Sequence, residues 1–215
     1  MQGTVLGGSL FTQKLNIMDK MNDLKALLKH DVQMLVSVED QIIEALPAMI
    51  KRASSPQLKK ALDEHLNITK RQRQRLDQVN QLLGSNKEDV TRYSGVLANL
   101  MGGVICKGMD GIIEEGEKLM AENISDEVMD AAIIGASQKI EHFEIASYGT
   151  ARTFAQELGL SQVAQLLQQT LDEEYMADQE LTGLAEQRIN QQAISGSTMS
   201  GSTMTGSTMS GTITP

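Results

Sequence analysis

The sequence predicts an all-α protein, a bundle of four long helices arranged as two antiparallel hairpins, with an extra short helix. Three observations predict it. Apolar residues recur every three or four positions over four long segments, which is the spacing of one helix face. Two tight links, at 53–56 and 159–161, each join two of these segments, and short links make neighbouring helices antiparallel. A long connection, roughly residues 84–125, joins the pairs by a crossover, as in a ferritin-like four-helix bundle.

The first hairpin has clear helix boundaries. Its first helix is predicted over about Asn22–Arg52, with the residue at 22 as N-cap. Pro47 removes a backbone hydrogen bond and is expected to kink or shorten the last turns. The second helix is predicted over Pro56–Leu83, with Ser55 as N-cap and Gly84 as the residue that ends it.

The second hairpin follows the short crossover helix, which is predicted over about Lys107–Glu122. Ser125 starts the next long helix, because the two acids that follow it favour the positive end of the helix dipole. This helix is expected to end near Gly159. Ser161 is expected to cap the last helix, which runs to about Ile189.

Composition limits the classes of function. The net charge of -9 disfavours nucleic acid as a partner, because nucleic-acid binding depends on neutralising phosphates. The run of Lys70, Arg71, Arg73 and Arg75 is interpreted as one solvated helix face. No stretch approaches the ~20 apolar residues of a membrane span. The single cysteine, Cys106, excludes an intramolecular disulfide and fits a reducing cytoplasm, where we expect the protein.

The two ends of the chain differ from the rest. Residues 1–21 are rich in glycine and are predicted to form a flexible arm. Residues 193–215 repeat a five-residue unit of Gly, Ser, Thr and Met. Such a segment buries too little apolar surface to offset its ordering entropy, so we predict a disordered tail. The helical domain is therefore predicted over residues 22–192.

Each long helix carries polar residues at mid-length, inside its apolar stripe. At ~1.5 Å per residue they lie roughly 15–25 Å from a link, which places them in one layer of the bundle. The layer comprises Glu39 on the first helix, His65, Thr69 and Gln72 on the second, and Glu141, Glu144, Glu174 and Asp178 on the second hairpin.

This layer predicts a metal site. A carboxylate that faces a core is costly unless it is paired, protonated or bound to a metal. Any single acid is more simply explained as a surface residue at the edge of its stripe, but the set favours a buried polar layer. Four or more oxygen ligands with a histidine nearby suit iron or manganese.

Five segments of the chain together carry a resemblance. They are Ser37–Pro47, Ala53–Lys59, Cys106–Gly116, Gln138–Gly149 and Leu171–Asp178. They resemble the YciE/YciF family of bacterial stress proteins, which have a ferritin-like fold and are often described as ferroxidase-like. The resemblance covers about residues 22–190, and its most specific part is Gln138–Gly149.

The resemblance implies a diiron-type site inside the bundle. By matching, its ligands would be Glu39, Glu141, Glu144 and Glu174, with Asp178 as a further candidate. His65 remains as a possible nitrogen ligand. His142 lies one residue off the inward face and is interpreted as a surface or supporting residue.

The second helix departs from the family. Relatives usually carry a Glu-Glu-Thr run followed by a histidine or another polar residue, whereas this chain has Asn67, Ile68, Thr69 and then Lys70. Because a diiron centre needs bridging and terminal carboxylates, this loss leaves a mononuclear site, a weak site or none. Lys70 could also place a cation beside the layer.

Two functions therefore stay open. The first is a stress protein that binds iron or manganese and oxidises ferrous iron or consumes peroxide. In it Tyr148, one turn from Glu144, would donate a hydrogen bond or an electron, although a core tyrosine with a satisfied hydroxyl explains it equally well. The second is a non-enzymatic bundle that has lost the metal site and acts through oligomerisation. We expect a homodimer in either case.

Overall fold

The fold is the predicted all-α, ferritin-like bundle. The computed structural model describes residues 21–85 and 105–194, and all regular structure in these ranges is helical. The predicted arm before residue 21, most of the connection after Gly84 and the tail from Ser195 lie outside the described residues. The helices are α1 Leu24–Arg52, α2 Pro56–Leu82, α3 Lys107–Met120, α4 Asp126–Glu157 and α5 Ser161–Leu184, and a π-helical turn, Ala185–Ile189, continues α5.

The ends of the first hairpin follow from local chemistry. Asp23, one residue after the predicted Asn22, is the N-cap of α1, and its carboxylate accepts a hydrogen bond from the Ala26 amide at 2.8 Å. α1 ends at Arg52 as predicted, so Pro47 does not shorten the helix. Ser55 caps α2 as predicted, and Gly84 follows the helix with a φ of 68°.

The second hairpin shows one difference from prediction. Ser125 caps α4 as predicted, and Gly159 adopts a φ of 68°, which only glycine takes without strain. The predicted cap at Ser161 was wrong: Ser161 is already helical, and the N-cap is Leu160, which makes no side-chain capping bond.

The hairpins pack as predicted. α1 packs along α2, α4 packs along α5, and α3 lies against α4 and α1. Asp130 of α4 joins the hairpins at one end, because its carboxylate accepts hydrogen bonds from the amides of Ser54 at 2.6 Å and Ser55 at 2.8 Å. None of the described helices is long and apolar enough to cross a membrane.

The core is divided into two apolar clusters, one towards each end of the bundle. Every long helix contributes to both clusters. On α2, α4 and α5 the predicted polar positions fall between the two contributions, and on α1 Glu39 lies close to the boundary, which falls between Val36 and Val38. The polar layer therefore lies at mid-bundle, as the distances from the links predict. Representative members are Ile42, Leu62, Ile133, Ile140 and Leu181 in one cluster, and Leu28, Val32, Leu76, Ala151 and Leu167 in the other.

Candidate metal centre

Four of the predicted ligands meet in one group. His65 on α2, Glu141 and Glu144 on α4, and Glu174 on α5 each offer a ligand atom, and these atoms all lie within 4.8 Å of one another. All four side chains are buried, and Glu174 is 0% exposed. We call these residues the carboxylate group. Two antiparallel hairpins bring them together because the four positions lie at the same height in the bundle.

Glu39 lies beside the carboxylate group on α1. It is fully buried, and the hydroxyl of Tyr148 on α4 donates a hydrogen bond to its Oε1. Its charge contributes to the raised pKa of both Glu141 and Glu144, which shows that it faces the same layer. The hydrogen bond that was one of the roles considered for Tyr148 is thus present.

The structure does not bring Asp178 into the carboxylate group. Asp178 lies one turn beyond Glu174 and is half-buried, where it accepts a hydrogen bond from the Gln138 amide at 3.0 Å. The Nε2 atom of His142 lies 3.4 Å from the same carboxylate. His142 is exposed, as predicted for a residue off the inward face.

Several polar atoms of the carboxylate group have no hydrogen-bond partner. They include both oxygens of Glu144, one oxygen each of Glu141 and Glu174, and both ring nitrogens of His65. The Nε2 atom of His65 lies 3.4 Å from Oε1 of Glu141 without a well-formed hydrogen bond. Buried polar atoms are normally satisfied, so a set of orphaned ones requires an explanation. A bound cation would supply the missing partner to all four side chains, and three carboxylates with one imidazole suit iron or manganese. The residues present therefore fit a metal ion.

Without a cation, burial favours the neutral forms of these side chains. Burial is the main cause of the raised pKa of Glu141 and Glu144, and the charge of Glu174 raises both further. Burial likewise raises the pKa of Glu174 to about 7. The pKa of His65 is lowered to about 4 by burial, so its imidazole is neutral and keeps a lone pair for a metal.

Helix α2 supports the group through an amide and a guanidinium. The side-chain amide of Gln72 donates to Glu174 and, at 3.1 Å, to Glu173. Arg75 holds Glu173 with two hydrogen bonds of 2.9 Å and also donates to Thr170 at 2.6 Å. Arg75 and Glu173 were missed from the sequence, although Arg75 stands three residues after Gln72 and so shares its face.

The interpretation of the basic run as one solvated face was therefore wrong in part. Arg75 is only 8% exposed, and Arg73 is bound to Asp40 at 2.9 Å and to Asp77 at 2.6 Å. The remaining members of the run, at positions 70 and 71, are exposed as expected. Because Lys70 is exposed, it does not place a cation in the layer.

The segment of α2 that departs from the family forms one apolar wall of a pocket beside the carboxylate group. Asn67 is exposed, whereas Ile68 is half-buried and lines a pocket with His65 and Glu141. Within the described residues, α2 thus gives the group a nitrogen ligand and no carboxylate. A carboxylate at position 68 would face this pocket, and one at position 67 would face solvent.

Fold and site together define a ferritin-like helical bundle with a buried carboxylate–histidine group. Residues 23–194 match the family described as "Domain of unknown function (DUF892)", and the chain belongs to this family. It is 36% identical over 173 residues to protein YciF of Escherichia coli strain K12, covering 80% of this chain and 96% of that protein. The resemblance to the YciE/YciF family is thereby confirmed.

Two solved structures share the fold. One is the crystal structure of the E. coli stress protein YciF, with a TM-score of 0.68 and 35% identity over 79% of this chain and 99% of that one. The other is YcfI of Rhodopseudomonas palustris, also with a TM-score of 0.68 and 35% identity, over 77% of this chain and 96% of that one. These similarities support the bundle topology. Any inference about a metal rests on the geometry of the carboxylate group.

Proposed function

We propose that this protein binds a divalent transition-metal cation, iron or manganese, and uses it under stress to oxidise ferrous iron or to consume peroxide. The observation that carries this proposal is the carboxylate group with its orphaned atoms. Three buried carboxyl groups and an imidazole lie within 4.8 Å of one another, which is costly without a cation. The similarity to a protein named as a stress protein gives the biological setting.

Each residue has a distinct part in this proposal. Glu141, Glu144, Glu174 and His65 hold the ion, and iron or manganese supplies one-electron redox chemistry when bound. The Glu174 carboxylate is oriented by the amide of Gln72, which itself lies beside the Arg75–Glu173 pair. Glu39 and Tyr148 border the ion, and the tyrosine hydroxyl fixes the orientation of the Glu39 carboxylate. The two apolar clusters exclude water from both ends of the layer.

The number of ions that the site can hold depends on the ligands that α2 supplies. The group of four offers ligands for one ion, and α2 adds no carboxylate to bridge a second. The proposal is therefore a site for one tightly held ion, with Glu39 available beside it.

The test is the metal content of the purified protein. The protein is loaded anaerobically with ferrous or manganous ion, desalted and measured by elemental mass spectrometry beside Glu144→Gln and Glu157→Gln. Glu157 is an exposed glutamate of the same helix and serves as the matched control. We expect about one ion per chain in the native protein and in the control, and a loss of at least tenfold in the Glu144 variant. Absence of metal in the native protein after loading would overturn the proposal.

A second candidate function is a non-enzymatic bundle that acts through oligomerisation. The observation that favours it is Ile68, which places an apolar side chain where the family usually has an acid. In both proposals the protein is a cytoplasmic homodimer. Sedimentation velocity at several concentrations tests the dimer. A protein that takes up no metal after loading but still assembles would favour this second function.

A further inference from the structure

An apolar pocket lies in the groove between α2 and α5. Its outer wall is open to solvent, because Met176 is 65% exposed, and the neighbouring Tyr175 is 50% exposed. Large apolar side chains that stand exposed beside a concave site are typical of a surface that binds another chain segment. The apolar walls of the pocket are Ala61, Leu62, Ile68, Met176, Ala177 and Leu181.

We propose that the part of the chain's own tail that follows Ile194, residues 195–215, binds in this pocket through the side chain of Met204 or Met209. The contact covers part of the exposed Met176. It requires no metal in the carboxylate group, so it is independent of the proposed function.

The length of the tail decides which of its methionines can reach the pocket. Ala177, on the α5 wall, precedes Ile194 by 17 residues of unbroken helix. The tail must therefore run back about 26 Å, at ~1.5 Å per residue. Met199 is limited to about 18 Å from Ile194, whereas Met204 can lie about 36 Å away and Met209 farther, at about 3.6 Å per extended residue.

The repeat in the tail offers the pocket a suitable side chain. Met199, Met204 and Met209 are the large apolar side chains of the tail, together with Ile213. A methionine side chain is unbranched and flexible, so it fits an irregular apolar space. The flanking residues are Gly, Ser and Thr, which can stay in water while one methionine is buried. Binding therefore orders only a few residues, which keeps its cost in conformational entropy small.

Charge and connectivity favour the tail over a separate acidic partner. The pocket is lined by four glutamates, at positions 64, 141, 173 and 180, and by no lysine or arginine. The tail beyond Ile194 has no charged residue, so these acids do not repel it. Its attachment to α5 also gives it an effective concentration on the order of millimolar at the pocket, as for other short linkers.

The test uses the full-length, metal-free protein with its methionine methyl groups labelled for NMR. A nitroxide is attached at Gln179→Cys in a Cys106→Ser background, because Gln179 is exposed on α5 beside the pocket and outside its lining. We expect relaxation enhancement at least threefold greater at Met204 or Met209 than at Met199, which lies in the same repeat but cannot reach the pocket. Enhancement that is equal at the three methionines, or greatest at Met199, would overturn the proposal.

Filling the pocket should remove this difference. Ala177→Phe places a ring in the pocket and should reduce the enhancement at Met204 and Met209 at least twofold. Gln165→Phe adds the same ring at an exposed position of α5 outside the pocket, and it should preserve the enhancement. If Ala177→Phe folds and keeps the full enhancement, the pocket is not the binding site of the tail.

A second measurement changes only the tail and leaves the pocket intact. The double variant Met204→Ser with Met209→Ser should shift the methyl resonance of Met176, which lines the pocket. The matched variant Met199→Ser should leave this resonance in place. An unchanged Met176 resonance in the double variant would overturn the proposal.

A mixing experiment shows whose tail is bound. Nitroxide-labelled protein without isotope label is mixed with isotope-labelled protein that carries no nitroxide. Binding within one chain predicts little enhancement in the mixture. Enhancement as large as in the doubly labelled chain would show that the tail binds a second copy, and it would overturn the proposal. Because every sample is free of metal, these outcomes do not depend on whether the protein binds iron or manganese.

Discussion

Glu39 on α1 accepts a hydrogen bond from the hydroxyl of Tyr148 on α4, deep in the bundle and between its two hairpins. The other oxygen of Glu39 has no partner. Burial and the charge of Glu174 raise the pKa of this carboxyl well above its ordinary value, and the tyrosine hydrogen bond opposes them. Tyr148 is therefore the group that stabilises this buried acid by a direct hydrogen bond, and the charges of Arg73 and Arg75 act in the same direction.

The first prediction concerns this pair. Tyr148→Phe removes the hydroxyl and leaves both oxygens of Glu39 without a partner, which should lower the free energy of unfolding of the metal-free protein by about 1–3 kcal/mol. Urea denaturation measures the loss. The matched control is Tyr175→Phe, at a tyrosine that is 50% exposed, and it should change stability by less than about 0.5 kcal/mol. Equal effects of the two substitutions would contradict the assigned role.

The second prediction concerns pH. The carboxyl of Glu174 has an ordinary pKa of 4.5 and a folded pKa of about 7. Its contribution to stability is thus full below pH 4.5 and is lost as the pH rises through 7. The pKa of His65 changes in the opposite sense, from 6.5 to about 4, so its contribution is full above pH 6.5 and is lost only below it.

Between pH 6.5 and 8, the buried carboxyl groups and not His65 should determine how stability changes with pH. The metal-free protein should lose stability over this range, by up to about 1.4 kcal/mol per pH unit for each carboxyl that ionises only on unfolding. Glu174→Gln removes the carboxyl whose pKa is raised to about 7 and should flatten the curve, whereas Glu157→Gln should not. Thermal unfolding at a series of pH values checks this. Stability that rises from pH 6.5 to 8 in the metal-free protein would refute the prediction.

The third prediction restores an acid to α2. Ile68→Glu places a carboxylate in the pocket beside His65 and Glu141, so it should increase the metal bound per chain or tighten its binding at least tenfold. Without metal the same variant should be less stable, because it adds a buried acid. Asn67→Glu is the matched control, since Asn67 is exposed and a carboxylate there faces solvent. Isothermal titration calorimetry with manganous ion compares metal binding by the two variants. Tighter binding in both would mean that surface charge is responsible.

The fourth prediction concerns Arg75. Its charge lowers the pKa of Glu174, so Arg75→Gln should raise this pKa further above about 7 and weaken metal binding near neutral pH. It also leaves Glu173 without its ion pair, at a cost of roughly 2 kcal/mol. Carbon-13 NMR of the labelled carboxyls measures the pKa. Arg71→Gln, at an exposed position of the same helix, should leave the pKa of Glu174 unchanged, and a shift of equal size there would contradict the prediction.

Much of the site could be predicted from the spacing of residues. Glu141, Glu144 and Glu174 interrupt apolar stripes at a common distance from the links, and the structure brings them together with His65. Asp178 has the same spacing but lies outside the group, because one further turn of α5 moves it about 6 Å along the helix axis. There Gln138 reaches it instead.

The sequence by itself determined the helices, their antiparallel pairing and the height of the polar layer, because all three depend on local periodicity and on link length. The tertiary structure decided which polar residues meet. Arg75 was expected in solvent, yet it is buried because Glu173 and Thr170 on α5 offer it acceptors across the helix interface. The pocket beside His65 is likewise lined by residues of both α2 and α5. Such contacts join residues about 100 positions apart, and helix periodicity fixes only the face on which each residue lies, not the neighbour that it meets.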